Sequence, residues 1–310
     1  MSELDILRGS MKSYTVYQVD SFTNTLFSGN PAGVVLNADG LSDNDMQNIA
    51  RELNNSETSF FFSPKDDSYD GELRYFTPKI EVPTCGHATI AALYAKAAEE
   101  KWSNRTLNIK TKVGILPMEI VKKENGYYIS MTQGKVEISE PLSDSLVKEL
   151  LIALKIRETD LDARCSVQTA STGHSKVMIG IKSRSTLNEM NPDNEKLVDL
   201  SEKIKCNGYF VFTLDTNKSN VLTEGRMFAP AIGIAEDPVT GNANGPLGAY
   251  LIHNKIMRAK NGKLEFVGFQ GEKVQRPGSV TVEVTVKRGI PERVKISGEA
   301  RIVFKTVINI

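Results

Sequence analysis

The chain repeats part of itself, and this repeat constrains its fold more than any other feature. Asn55 and Asn207 stand 152 positions apart, and Arg74 and Arg226, Phe76 and Phe228, and Pro78 and Pro230 share that separation. NSETSFFF therefore lies over NGYFVFTL, and RYFTP over RMFAP. After three extra residues in the second copy, Gly86 matches Gly241 and Ala88 matches Ala243 at a separation of 155. Each copy reads helix, strand, strand, glycine, helix. A period this long is not that of a solenoid. It describes duplicated α+β units, each with enough strands to wrap one apolar helix and bury it on all sides.

The local patterns fill in the two copies. YTVYQVD (14–20) alternates as a strand does, and GVVLN (33–37) reads as a second. Ser42 opens SDNDMQNIARELN with a cap, acidic residues in the first turn and apolar residues at Met46, Ile49, Ala50 and Leu53, which is an amphipathic helix. SETSFFF and GELRYFT are rich in β-formers, and HATIAALYAKAAEE (87–100) is an alanine-rich helix. Strands at 106–111, 114–122 and 126–131 follow, with turns at Gly114 and Asn125-Gly126. The second copy places strands near 165–170 and 175–182, a helix over 193–204, strands at 208–214 and 223–229, and a long helix over 242–256. Strands at 264–270, 279–286, 292–297 and 300–306 end the chain. The expected domains are 11–135, around the helix 87–100, and 136–310, around the helix 242–256. The last strand of the chain is a candidate to complete the first domain.

Composition removes several functions. Lys+Arg and Asp+Glu are both 38 in 310 residues, and no basic run stands out, so neither nucleic acid nor an anionic membrane is the expected partner. No apolar run reaches the length of about 18 residues that a spanning helix needs. MSELDILRGS lacks an apolar signal core; residues 1–10 read as a leader or cloning remnant and are set aside. Cys85, Cys165 and Cys206 are an odd, sparse set that reads as free thiols in the cytoplasm. No CxxC or HxxH spacing occurs, so no metal site is expected. The absence of GxGxxG and GxxxxGK[ST] sets aside nucleotide binding.

The chemistry gathers where the two repeated helices begin, at Gly86-His87-Ala88 and Gly241-Asn242-Ala243. A helix start carries unpaired N–H groups and partial positive charge. Two of them facing one cleft suit a small carboxylate or phosphate, whereas glycines alone would serve tight packing. Cys85 precedes the first helix, where a thiol pKa can fall, but its counterpart at 155 is Thr240, so two opposed thiols are not available. Glu57 sits between Ser56 and an apolar strand, a setting that raises a carboxyl pKa towards general acid–base work; an edge position in water is the plainer alternative. Its counterpart at 152 is Tyr209. His87 titrates near neutrality when unperturbed, and His174 in STGHSK lies between two strands where ligand contact is open to it. His253, late in the second long helix, reads as surface. Asp237 in EDPVTGNA either caps the helix or binds substrate and carries a proton. Asn242 and Asn244 offer uncharged hydrogen bonds.

Taken in order, GNPAGVV (29–35), NSETSFF (55–61), FTP (76–78), CGHATIA (85–91), GRMFAP (225–230), EDPVTGNA (236–243) and QGEKVQRPG (270–278) resemble the phenazine-biosynthesis isomerase-like, or PhzF-like, family over nearly all the chain from Met11. The resemblance implies a diaminopimelate-epimerase-like fold: two pseudo-symmetric domains, each a mostly antiparallel, barrel-like sheet around a central helix, with the site between them. It implies isomerisation without metal or organic cofactor, and a homodimer. Residue by residue, it implies that Glu57 is the proton-transferring acid/base, with His87 and Asp237 beside it. A substrate carboxylate would dock among Cys85, Gly86, Ala88, Gly241, Asn242, Ala243 and His174. Asn242 stands where the family often has Ser, and Cys85 is shared instead with related racemases and epimerases. Two other readings remain open: a racemase or epimerase of a small amino or hydroxy acid using Cys85, and a binding protein that has kept the cleft without the chemistry.

Overall fold

The computed structural model describes residues 12–310, so the leader reading of residues 1–10 lies outside it. The first copy contains β1 (Ser13–Ser21), β2 (Asn30–Val35), α1 (Asp43–Leu53), β3 (Thr58–Phe62), β4 (Gly71–Phe76), β5 (Glu81–Val82), α2 (Gly86–Glu99), β6 (Arg105–Thr111), β7 (Gly114–Lys123) and β8 (Gly126–Thr132). The second contains β9 (Glu137–Pro141), α3 (Asp144–Leu154), β10 (Gln168–Ser171), β11 (Lys176–Ile181), α4 (Arg184–Glu189), α5 (Asn194–Ile204), β12 (Tyr209–Thr213), β13 (Thr223–Ala229), β14 (Ile234–Asp237), α6 (Gly241–His253), β15 (Lys263–Gln270), β16 (Gly278–Lys287) and β17 (Ile290–Gly298), and β18 (Ala300–Asn309) follows, returning to the first half. Helix α3 is not among the elements expected from the sequence. Its signals are a Ser143 cap and an apolar face at Leu150, Leu151 and Leu154.

Pairing runs continuously through β18-β1-β2-β3-β4-β6-β7-β8 and then β17-β16-β15-β13-β12-β11-β10-β9. The two halves have the same order. In the first, β2–β3 and β4–β6 are the parallel pairs; in the second, β11–β12 and β13–β15 are. They join where β8 and β17, which hold the same place in each half, pair antiparallel. The last strand, β18, pairs with β1.

Each curved sheet encloses one helix. Helix α2 is buried from Gly86 through Ala95, and α6 from Ala243 through Ile252. Helices apolar on every side are stable only inside a wrapping of strands. Small residues let the strands come close: a Cβ at Gly248 would lie 2.7 Å from Val284 Cγ2 and 2.8 Å from Val282 Cγ1. Among the described residues no helix is long and apolar enough to cross a membrane.

The structure corrects the sequence match around Glu57. In β3, Phe61 faces the central helix and Phe60 faces the outer cluster under α1; in β12, Phe212 faces inward and Val211 outward. Strand side chains alternate, so a one-residue slip would reverse every one of them. The offset through α1 and β3 is therefore 151. Both helices are 11 residues long and end on left-handed residues, Asn54 and Lys205, at that same spacing. It becomes 152 only in β4, as the pairs Thr58–Phe76 and Tyr209–Phe228 show. The counterpart of Glu57 is thus Gly208. Tyr209 instead points outward, its hydroxyl donating to Leu197 O at 2.8 Å.

Candidate active site

The starts of α2 and α6 face each other across Ile296 of β17. A Cβ at Gly86 would meet Ile296 Cδ1 at 3.3 Å and Asn242 Oδ1 at 3.7 Å; one at Gly241 would meet the same Ile296 methyl at 2.4 Å. A side chain is crowded at Gly241 and tightly placed at Gly86, and the same packing brings the two helix ends together. Their capping differs from that of the other α-helices. Ser42, Ser143, Ser183 and Asp193 each accept from an N–H of the helix they start. Cys85 and Thr240, at the N-caps of α2 and α6, do not. Thr240 Oγ1 donates to Asp237 Oδ2 instead, so neither Thr240 nor Asp237 caps the helix. First-turn N–H groups left without a cap are suited to an anionic ligand.

On the α2 side, the turn into β3 delivers Ser56 and Glu57. His87 Nε2 lies 3.4 Å from Glu57 Oε2 and 3.3 Å from Ser56 Oγ, and Cys85 Sγ lies 3.4 Å from His87 Nδ1. The Ser21 hydroxyl donates to His87 O at 2.7 Å. Burial raises the Glu57 carboxyl above its ordinary value, against hydrogen bonds from Ser56 and Cys85 that lower it. Burial lowers His87, against the nearby charge of Asp237, and so favours the neutral ring. Burial, with the charge of Glu57 beside it, raises the Cys85 thiol well above its ordinary value. Glu57, Cys85 and His87 bring one donor atom each to within 4.8 Å of one another, a set that could hold a metal ion. Metal binding would first have to take the proton from a thiol that this setting keeps protonated.

On the α6 side, Asp237 is buried at the end of β14. Asn30 Nδ2 donates to its Oδ1 at 2.8 Å and to Val239 O at 2.8 Å, and Gln270 Nε2 donates to Asp237 O at 2.8 Å. Burial raises this carboxyl too, against the charge of His87 and the bond from Thr240. Gln133, just past β8, donates to Asn242 Oδ1 at 2.8 Å and accepts from Thr172 Oγ1 at 2.8 Å. Asn30, Gln133 and Gln270 are site-building residues that the sequence reading does not single out; their partners lie tens to hundreds of positions away. His174 is exposed on the loop between β10 and β11, and His253 is exposed at the end of α6. Glu57, Cys85 and His87 are thus gathered with the two helix starts; no hydrogen bond or ion pair joins exposed His174 to them.

The two halves keep their structural ion pair and diverge at the site. Arg74 grips Glu81 through two bonds of 2.8 Å, and Arg226 grips Glu236 through bonds of 2.9 and 2.7 Å. By contrast, Val82 becomes Asp237, Cys85 becomes Thr240 and His87 becomes Asn242. One fold thus brings two unlike helix starts together at Ile296.

Comparison with known proteins shows the family and the fold. Residues 19–306 match the family model described as phenazine biosynthesis-like protein. The chain belongs to that family. It is 54% identical to an uncharacterized isomerase of Clostridium acetobutylicum, over 96% of this chain and 98% of the relative. It is 30% identical to the trans-2,3-dihydro-3-hydroxyanthranilate isomerase of Pseudomonas chlororaphis, over 90% and 94%. The crystal structure of the Bacillus anthracis phenazine biosynthesis protein of the PhzF family superposes with a TM-score of 0.87 at 34% identity, covering 97% of this chain and 100% of the other. A hydroxyproline epimerase from Agrobacterium vitis shares the fold alone, with a TM-score of 0.64 at 11% identity, covering 96% and 93%. This PhzF-family chain is an isomerase with the diaminopimelate-epimerase-like fold.

Proposed function

We propose that this PhzF-family isomerase works without a cofactor, moving a proton within a small carboxylate-bearing substrate by general acid–base catalysis. One observation carries the reading: two uncapped helix starts meet across Ile296, with the desolvated Glu57 carboxyl beside them. The substrate carboxylate docks on first-turn N–H groups near Gly86 and Gly241–Asn242. Glu57 takes a proton from a carbon acidified by its neighbours and returns it elsewhere on the same molecule. A carboxyl whose pKa is raised by burial can both accept and give that proton near neutral pH, and a positioned acid–base contributes roughly 10²–10⁴ in rate. His87, kept neutral by burial, presents Nε2 to Glu57 or a substrate oxygen. Asp237, held by Asn30 and Thr240, orients the substrate from the opposite face. Cys85 supports this arrangement as a protonated thiol, which disfavours a thiolate-driven racemase.

The test is proton NMR in deuterated buffer. The protein is mixed with trans-2,3-dihydro-3-hydroxyanthranilate, the substrate named for a relative, and with a panel of small amino and hydroxy acids. Deuterium entry at carbon, or isomerisation, with the wild type and not with Glu57→Gln is the expected result. A ligand that binds tightly with no exchange or turnover would favour the non-catalytic reading.

A further inference from the structure

Lys176 is the first residue of β11 and only 9% exposed. Two lysine or arginine side chains are buried among the described residues. The other, Arg226, is matched by Glu236 through two hydrogen bonds. Lys176 has no carboxylate of a described residue within 4.0 Å. Its Nζ makes one hydrogen bond, donating to Ser175 O at 3.1 Å. A buried ammonium with N–H groups unmatched is costly, and sites that retain one commonly use it for an anion.

Its place in the fold says which anion. Gly33 N donates to Glu57 O at 3.3 Å, and Val177 N donates to Gly208 O at 2.8 Å. These are the same bond in the two halves, so Gly208 holds the place of Glu57, and Lys176 that of Ala32. A Cβ at Gly208 would lie 2.3 Å from Lys176 Cδ and 3.2 Å from Met227 Cε. The first half thus places Glu57 beside a small residue on the neighbouring strand. The second makes the Glu57 position glycine and fills its space with the lysine stem. Met227 pairs with Asp237, which precedes the N-cap of α6. Burial lowers Lys176, against the smaller raising influences of Cys206 and then Asp237. At the start of α6, shortly after Asp237 in the chain, the Gly241 and Asn242 N–H groups have no hydrogen-bond partner among the described residues.

We propose that Lys176 is a further substrate-binding residue, whose ammonium takes the substrate carboxylate together with the free N–H groups at the start of α6. This rests on the carboxylate-substrate reading above and adds the counter-charge that reading lacks. By the repeat, Lys176 fills in the second half the space that Glu57 fills in the first, so the bound anion is held on the α6 side and the carbon chemistry falls on the α2 side.

The experiment is calorimetric titration of anthranilate and of uncharged anthranilamide into wild type, Glu57→Gln, Lys176→Met and Lys176→Arg. Wild type and Glu57→Gln are expected to prefer the carboxylate. Lys176→Met is expected to lose that preference by roughly tenfold to a hundredfold, the worth of a charge-assisted hydrogen bond, and Lys176→Arg to regain part of it. The Met variant exchanges an unmatched charge for a thioether of similar length, so its melting temperature is expected to be no lower than wild type. Should it not fold, Lys176→Gln takes its place. A Lys176 variant that keeps the carboxylate preference overturns the proposal, and so does a wild type that shows none. Binding is read in Glu57→Gln as well, so a failure of the proton-transfer reading leaves this result standing and is told apart from it.

Discussion

Gly245→Ala tests whether the network behind Asn242 holds the second helix start. Gly245 lies in the interior of α6, where alanine would normally gain about 1 kcal/mol in helix propensity. Here its Cβ would lie 1.8 Å from Gln133 Oε1 and 3.2 Å from Ile296 Cγ2. Gln133 cannot move aside freely, because it is buried and bonded to both Thr172 and Asn242. Displacing it leaves the buried Thr172 hydroxyl and the half-buried Asn242 amide oxygen without partners, at about 1–3 kcal/mol for the first and less for the second. Net of the propensity gain, the variant should be less stable by about 1–3 kcal/mol. Urea unfolding followed by circular dichroism measures this, and a lowered midpoint with an unchanged slope is expected. Gln133→Ala frees the space, so the double variant should cost less than the two single changes added together. A Gly245→Ala protein as stable as wild type, or more stable, would refute the reasoning.

Two further outcomes follow from the charges at the site. Cys85→Ala should keep most of the activity, within about tenfold of wild type, because a thiol held protonated is neither nucleophile nor base; loss of all exchange in the deuterium assay would restore the thiol-based racemase. The acid limb of the pH–rate profile should lie above the ordinary Glu value of 4.5, because Glu57 must be ionised to accept a proton and burial raises its pKa. Rate measured across pH 4–8 checks this, and a limb at or below 4.5 would mean that Glu57 is not the base.

The sequence shows much of the fold because the strongest local signals are also the structural ones. The alanine-rich helix begins at Gly86, one residue before its expected start, and the second central helix at Gly241, again one residue early. Glu57, Cys85 and His87 were legible because they lie in short motifs flanking apolar segments. The Asn55–Asn207 match misled by one residue, because identity of a polar turn residue carries no information about which face the next strand presents; that is fixed by pairing, here Thr58 with Phe76 and Tyr209 with Phe228. Lys176 was invisible for the same reason. It takes the place of Glu57 from a neighbouring strand, and only the parallel register of β11 and β12 reveals it. Asn30 and Asp237 are 207 positions apart, and their hydrogen bond exists only once the halves have joined.

The most direct measurement is proton NMR of the Glu57→Gln variant beside wild type in deuterated buffer, with the substrate panel. Glu57-dependent proton transfer requires deuterium to enter a substrate carbon with wild type and not with the variant, while both keep the same fold and bind the same carboxylates. Exchange at the wild-type rate in Glu57→Gln would contradict the assignment of Glu57 as the proton carrier.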